Sequence, residues 1–118
     1  MLVKDIIDKH ASIVADYEVI TWESESASSR FKARITFIDG SALLIKDYLF
    51  AHGRKYTYHW QDSTGALKMR WDNAPHWKRV ETFPYHRHEP ADVFPSREVA
   101  LEDVLQYIHD TNSITEKT

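Results

Sequence analysis

The chain has no cysteine, only three glycines and only four prolines in 118 residues. Without cysteine there is no disulfide scaffold, no thiolate zinc site and no cysteine nucleophile. Gly40, Gly53 and Gly65 stand apart from one another. A Walker loop or a dinucleotide fingerprint needs glycines clustered ahead of a helix, so neither is present. No wholly apolar run exceeds four residues, whereas a membrane-spanning helix needs ~20. The first residues are amphipathic and lack a secretory core, which predicts no signal peptide and a cytoplasmic protein. At this length the expectation is one domain over residues 1–118.

What the sequence does contain is unevenly spread. The net charge of −3 conceals acidic ends around a basic middle. Residues 1–29 carry a net −4, residues 30–88 a net +6 and residues 89–118 a net −5. The middle also holds five of the seven histidines and eleven of the fifteen aromatic residues. Positive charge clustered with aromatics is the footprint of a polyanion partner, although solvated strand faces show cations too.

Apolar periodicity predicts an α+β domain: a helix over 3–15, a sheet over 17–88 and a helix over 97–109. Val3, Ile6, Ile7, His10, Ile13 and Val14 make the first helical stripe. Strands are predicted over 17–22, 30–38, 41–50, 54–61, 66–72 and 80–88, an antiparallel meander of five or six. Asp39-Gly40 reads as a two-residue hairpin turn. Strand 41–50 is apolar on both faces, which predicts a central strand covered on both sides. Residues 89–95 read as a loop, with Ser96 capping a helix whose stripe is Leu101, Val104, Leu105 and Ile108. His10, His52 and His109 read as packing, turn and helix-end residues, and Trp60 and Trp71 as core.

Matching apolar faces across hairpin 54–72 sets Gln61 opposite Ala66, His59 opposite Lys68 and Thr57 opposite Arg70, with Asp72 beside Lys55. His76 follows in a loop, and His86 and His88 share a strand face. The candidate catalytic residues are therefore His59, Arg70, Asp72, His76, His86 and His88. Two imidazoles suit phosphodiester cleavage without a cofactor. One takes the 2′-hydroxyl proton, the other protonates the leaving 5′-oxygen, and an arginine steadies the phosphorane. The alternative is a metal held by His86, His88 and a third ligand, His76 or Asp72. Hydrogen-bonded surface histidines are a third reading. Candidate RNA contacts are Arg30, Lys32, Arg34, Lys55, Lys68, Trp77, Lys78, Arg79 and Arg87. A non-catalytic module binding nucleic acid or protein through the same basic face is the rival of a different class.

Three segments also carry a family resemblance: Tyr56-x-Tyr58-His59-Trp60-Gln61, Arg70-Trp71-Asp72-Asn73-Ala74-Pro75-His76 and Thr82-Phe83-Pro84-x-His86-x-His88. In order and spacing they resemble the TumE family of toxin–antitoxin proteins, over about residues 17–109. The chain departs from that pattern at Trp77 and Tyr85, where a second His often stands. The resemblance implies a small cytoplasmic toxin neutralised by a helix-turn-helix antitoxin. RNA and a second copy of the chain are the other expected partners. The ribonuclease reading rests on the residues, not on the resemblance.

Overall fold

Among the described residues seven antiparallel strands form one sheet, and their spatial order is their order in the chain. The computed structural model describes residues 3–73, 85–90 and 92–111. The elements are α1 (Val3–Asp8), β1 (Val14–Glu25), β2 (Ser28–Phe37), β3 (Ala42–Phe50), β4 (Gly53–Gln61), β5 (Leu67–Asp72), β6 (His86–Glu89), β7 (Asp92–Pro95) and α2 (Leu101–Asp110). This is the predicted α+β class, with one strand more than the upper expectation. Among the described residues no helix is long and apolar enough to cross a membrane.

The first helix is much shorter than its stripe predicts. After Asp8 the amides of His10 and Ala11 reach back only three residues, to the carbonyls of Ile7 and Asp8, and the helix unwinds. Ile13 is nevertheless fully buried, and its carbonyl accepts from Ile38 N–H, so the stripe turns inward without staying helical. The β-branched Val14 then enters the sheet. β1 also runs on to Glu25, and the loop expected over 24–29 shrinks to a turn at Ser26 and Ala27. The turn after β2 is longer than two residues. Phe37 N–H donates to Ser41 O, and Gly40 adopts a φ of +87° that a side chain would resist.

Among the described residues the helices cover one face of the sheet and no helix packs on the other, called the open face. Phe31, Ala33, Ile35 and Phe37 of β2, Leu43 and Ile45 of β3, Tyr56, Tyr58 and Trp60 of β4, and Met69 and Trp71 of β5 form the covered face. Ile7, Leu101, Val104, Leu105 and Ile108 pack on them from the helices. Trp60 Nε1 donates to Ser41 Oγ at 3.1 Å, which satisfies its one polar group inside the core. β3 is central but covered on one side only; Leu44 remains 38% exposed on the other.

The C-terminal third differs most from expectation. The segment expected as a loop over 89–95 instead supplies β7, which pairs with β6 so that Arg87 faces Phe94 and His88 faces Val93. Ser96 does not cap α2, since its hydroxyl donates to the Arg97 carbonyl. The helix starts at Leu101, where the Asp103 carboxylate accepts the Ala100 N–H. The expected strand over 80–88 is described only from residue 85, and the tail beyond 111 lies outside the described residues.

Candidate functional site

The predicted register of the β4–β5 hairpin is displaced by two residues. Asp62 Oδ1 accepts from the amides of Thr64 and Ala66, folding a wider loop than the one expected. Lys68 then bulges between the Gln61–Leu67 and Trp60–Met69 pairs. His59 consequently faces Arg70 directly, and Thr57 faces Asp72. Lys55 faces Tyr48 of β3 and has no pairing with Asp72. A shift of two preserves which face each residue occupies, so the side assigned to His59, Arg70 and Asp72 is unchanged.

β6 completes the arrangement by setting His88 opposite Arg70 and His86 opposite Asp72. Two rows now cross the open face. The first runs Arg34, Leu44, His59, Arg70, His88 across β2 to β6. The second runs Lys32, Lys46, Thr57, Asp72, His86 beside it. At ~4.8 Å between strands, His59 and His88 flank Arg70 with roughly 10 Å between their backbones.

Asp72 is the hub. Its Oδ1 lies 2.6 Å from His86 Nε2, and its Oδ2 lies 3.3 Å from both His88 Nε2 and Arg70 Nε. The Asp72 and His86 side chains are 5% and 1% exposed, so neither reaches a macromolecule in solution. His88 is 22% and Arg70 43% exposed, so both reach the surface. The His86 and His88 rings meet edge to face at 4.9 Å. Burial, followed by the Arg70 charge, holds the His59 imidazole below its ordinary pKa, and a Gln61 hydrogen bond opposes them. Burial also lowers His88, against the pull of Asp72.

The other candidates divide. Arg30, Lys32, Arg34 and Lys55 are exposed on the open face. On β1, however, Glu23 stands opposite Arg30 and Glu18 opposite Arg34, so the basic ladder has an acidic neighbour strand. Arg87 sits across from Trp71 on the covered face and donates to Glu89 at 3.0 Å, away from its neighbours His86 and His88. The bulge turns Lys68 off the open face, and its ammonium lies 4.4 Å above the Trp60 ring. His76, Trp77, Lys78 and Arg79 lie outside the described residues. Lys46, beside Lys32, is a cation missed when β3 was read as covered on both faces. Lys46 falls on the opposite parity from the apolar Leu43 and Ile45, and that carries the signal.

An apolar groove of about 320 Å³ opens on the covered side between Val3, Ile6, Trp22, Phe31, Leu49 and Leu101. Asp47, Arg54 and Tyr58 also line it, and none of its described lining residues is a histidine.

An antiparallel meander closed on one face by helices, with an Asp-centred histidine and arginine cluster on the other, defines a small α+β protein with a polar sheet-face site. The family model for Toxin TumE matches residues 3–112, nearly the whole chain. The chain belongs to the TumE toxin family, and is thus the toxin of a toxin–antitoxin system with an antitoxin as its partner. No curated protein and no solved structure matches it.

Proposed function

We propose that this toxin is a metal-independent endoribonuclease. The observation that carries the reading is the row His59, Arg70, His88, a cation flanked by two imidazoles on adjacent strands. His59 takes the proton from a ribose 2′-hydroxyl, and the 2′-oxygen attacks the neighbouring phosphorus. Arg70 donates to the non-bridging oxygens as charge gathers there. His88 gives a proton to the departing 5′-oxygen. The products are a 2′,3′-cyclic phosphate and a 5′-hydroxyl, and the two imidazoles exchange protonation states. Asp72 and His86 are positioning residues: the buried carboxylate lies within ion-pair distance of the His88 ring, Arg70 Nε and His86. Arg34 in the same row, with Arg30, Lys32, Lys46 and Lys55, suits flanking phosphates.

The test is incubation of the purified protein with single-stranded RNA in EDTA, with the product ends analysed. Cleavage leaving cyclic phosphates, and none of a 2′-O-methylated RNA, is expected. Products with 5′-phosphates, or salt-sensitive binding without turnover, would overturn the reading.

A further inference from the structure

We propose that Asp72, His86 and His88 also form a binding site for a divalent transition metal of the Zn²⁺ or Co²⁺ kind, and that the bound metal switches the acid–base centre off. The binding half stands on the donor set alone, while the switch rests on the ribonuclease reading.

Each of the three residues offers one ligand atom, and these atoms lie within 4.8 Å of one another. Ligands at ~2.0–2.1 Å around a tetrahedral ion stand roughly 3.3 Å apart. Asp72 Oδ2 and His88 Nε2 are already at 3.3 Å. Asp72 Oδ1 and His86 Nε2, at 2.6 Å, part by roughly 0.7 Å to reach that separation and admit the ion. Two imidazoles and one carboxylate suit zinc and its neighbours, whereas Mg²⁺ and Ca²⁺ prefer oxygen donors throughout. The three ligands come from two paired strands, so the sheet register preorganises them. Arg70, 3.3 Å from Asp72 Oδ2, is an outer partner that fixes the carboxylate and weakens affinity through its charge. His88 is the most exposed ligand, so the remaining coordination position faces the open side.

The switch follows from the valence of imidazole. A metal-bound ring has spent the lone pair that accepts a second proton, so it does not cycle through imidazolium. His88 therefore serves either the metal or the leaving 5′-oxygen, and never both in one turnover. The ion also places positive charge beside Arg70.

Full-length protein freed of metal is titrated with Co²⁺, followed by visible absorption, and with Zn²⁺ in competition; RNA cleavage is measured in parallel. One equivalent is expected in the wild type and in His109→Ala, a control for the remote histidine pair at the helix ends. His59→Ala should bind equally while losing cleavage. His86→Ala and His88→Ala should weaken binding by more than the ~10–100-fold that an outer partner is worth. His88→Ala keeps the test valid if the buried substitution does not fold. One equivalent of Zn²⁺ should slow cleavage by about 10²-fold or more, the low end of what losing a general acid or base costs, and EDTA should restore it. Absence of stoichiometric binding with cleavage intact in EDTA overturns the metal site and spares the ribonuclease reading. Binding without inhibition overturns the switch alone. Cleavage that requires the metal overturns both the switch and metal independence. If no RNA is cut under any condition, the ribonuclease reading and the switch fall together, while the Co²⁺ titration still decides the site.

Discussion

Both faces of the sheet bury a histidine, and the two are held in different ways. On the covered side His10 is 3% exposed, and its Nδ1 meets His109 Nδ1 at 2.8 Å, closing the end of α1 onto α2. On the open side His86 is 1% exposed and meets a carboxylate instead. The first pair joins the turn after α1 to α2 by a contact between two imidazoles, with the Lys9–Glu102 ion pair close by. The second sits behind a half-exposed histidine and an arginine that reach solvent. Burial of a titratable ring therefore does not by itself distinguish packing from chemistry. Its charged neighbours, and an accessible group beside it, do.

The strongest way to break the contrast is to damage the covered face. Trp60→Ala should destabilise the fold by about 3–5 kcal/mol, the cost of a large buried aromatic, read from urea unfolding. An equally large loss from His59→Ala would erase the distinction between the faces. The next effect belongs to the open face. His59→Ala and Arg70→Ala should each lower the rate of RNA cleavage by about 10²–10⁴ while the urea midpoint stays close to wild type. Retained cleavage in both variants would remove the row from the chemistry.

A smaller effect separates two arginines. Arg34→Ala, on the open face, should reduce the slope of log affinity for RNA against log salt by about one phosphate contact. Arg87→Ala, on the covered face, should leave that slope unchanged. Equal effects would mean that RNA does not distinguish the faces. The smallest effect is a pH dependence. Burial, then the His109 charge, lowers the His10 pKa in the fold, so the unfolded chain binds the proton more readily. Stability from this ring is present above about pH 6.5, the unfolded value, and declines as pH falls toward the lowered folded value. The thermal midpoint should drop between neutral pH and pH ~5, by less in His109→Gln than in the wild type.

Much of this was readable in the sequence, for reasons that also set the limit. Period-two alternation gave β2, β4 and β5 and the faces of their residues, because side-chain direction depends only on parity. Parity does not fix register. The Asp62 loop and the Lys68 bulge together moved the pairing by two, and the exchange of Lys68 for Arg70 opposite His59 turned on them. The short β6–β7 hairpin escaped because Pro90 and Pro95 read as loop residues, although Pro90 lies in the turn and Pro95 ends an outermost strand. Asp72 stands among the candidate residues of the sequence, and its place as the hub follows only from strand pairing. The helical stripe from Val3 to Val14 marked the buried side chains of the segment correctly and its backbone wrongly. An apolar stripe reports what packs inward, and a turn delivers Ile13 to the core as well as a helix does.

The strands stand side by side in the order in which the ribosome makes them. Each hairpin can therefore close as soon as its second strand has emerged, with no distant segment to wait for. The histidines that flank Asp72 arrive on the sixth strand, and four buried core residues arrive later still, on the final helix. A chain still being translated has neither the completed row nor the packing that holds it flat. On the ribonuclease reading proposed above, toxicity then begins only after synthesis has nearly ended, which gives an antitoxin time to be waiting.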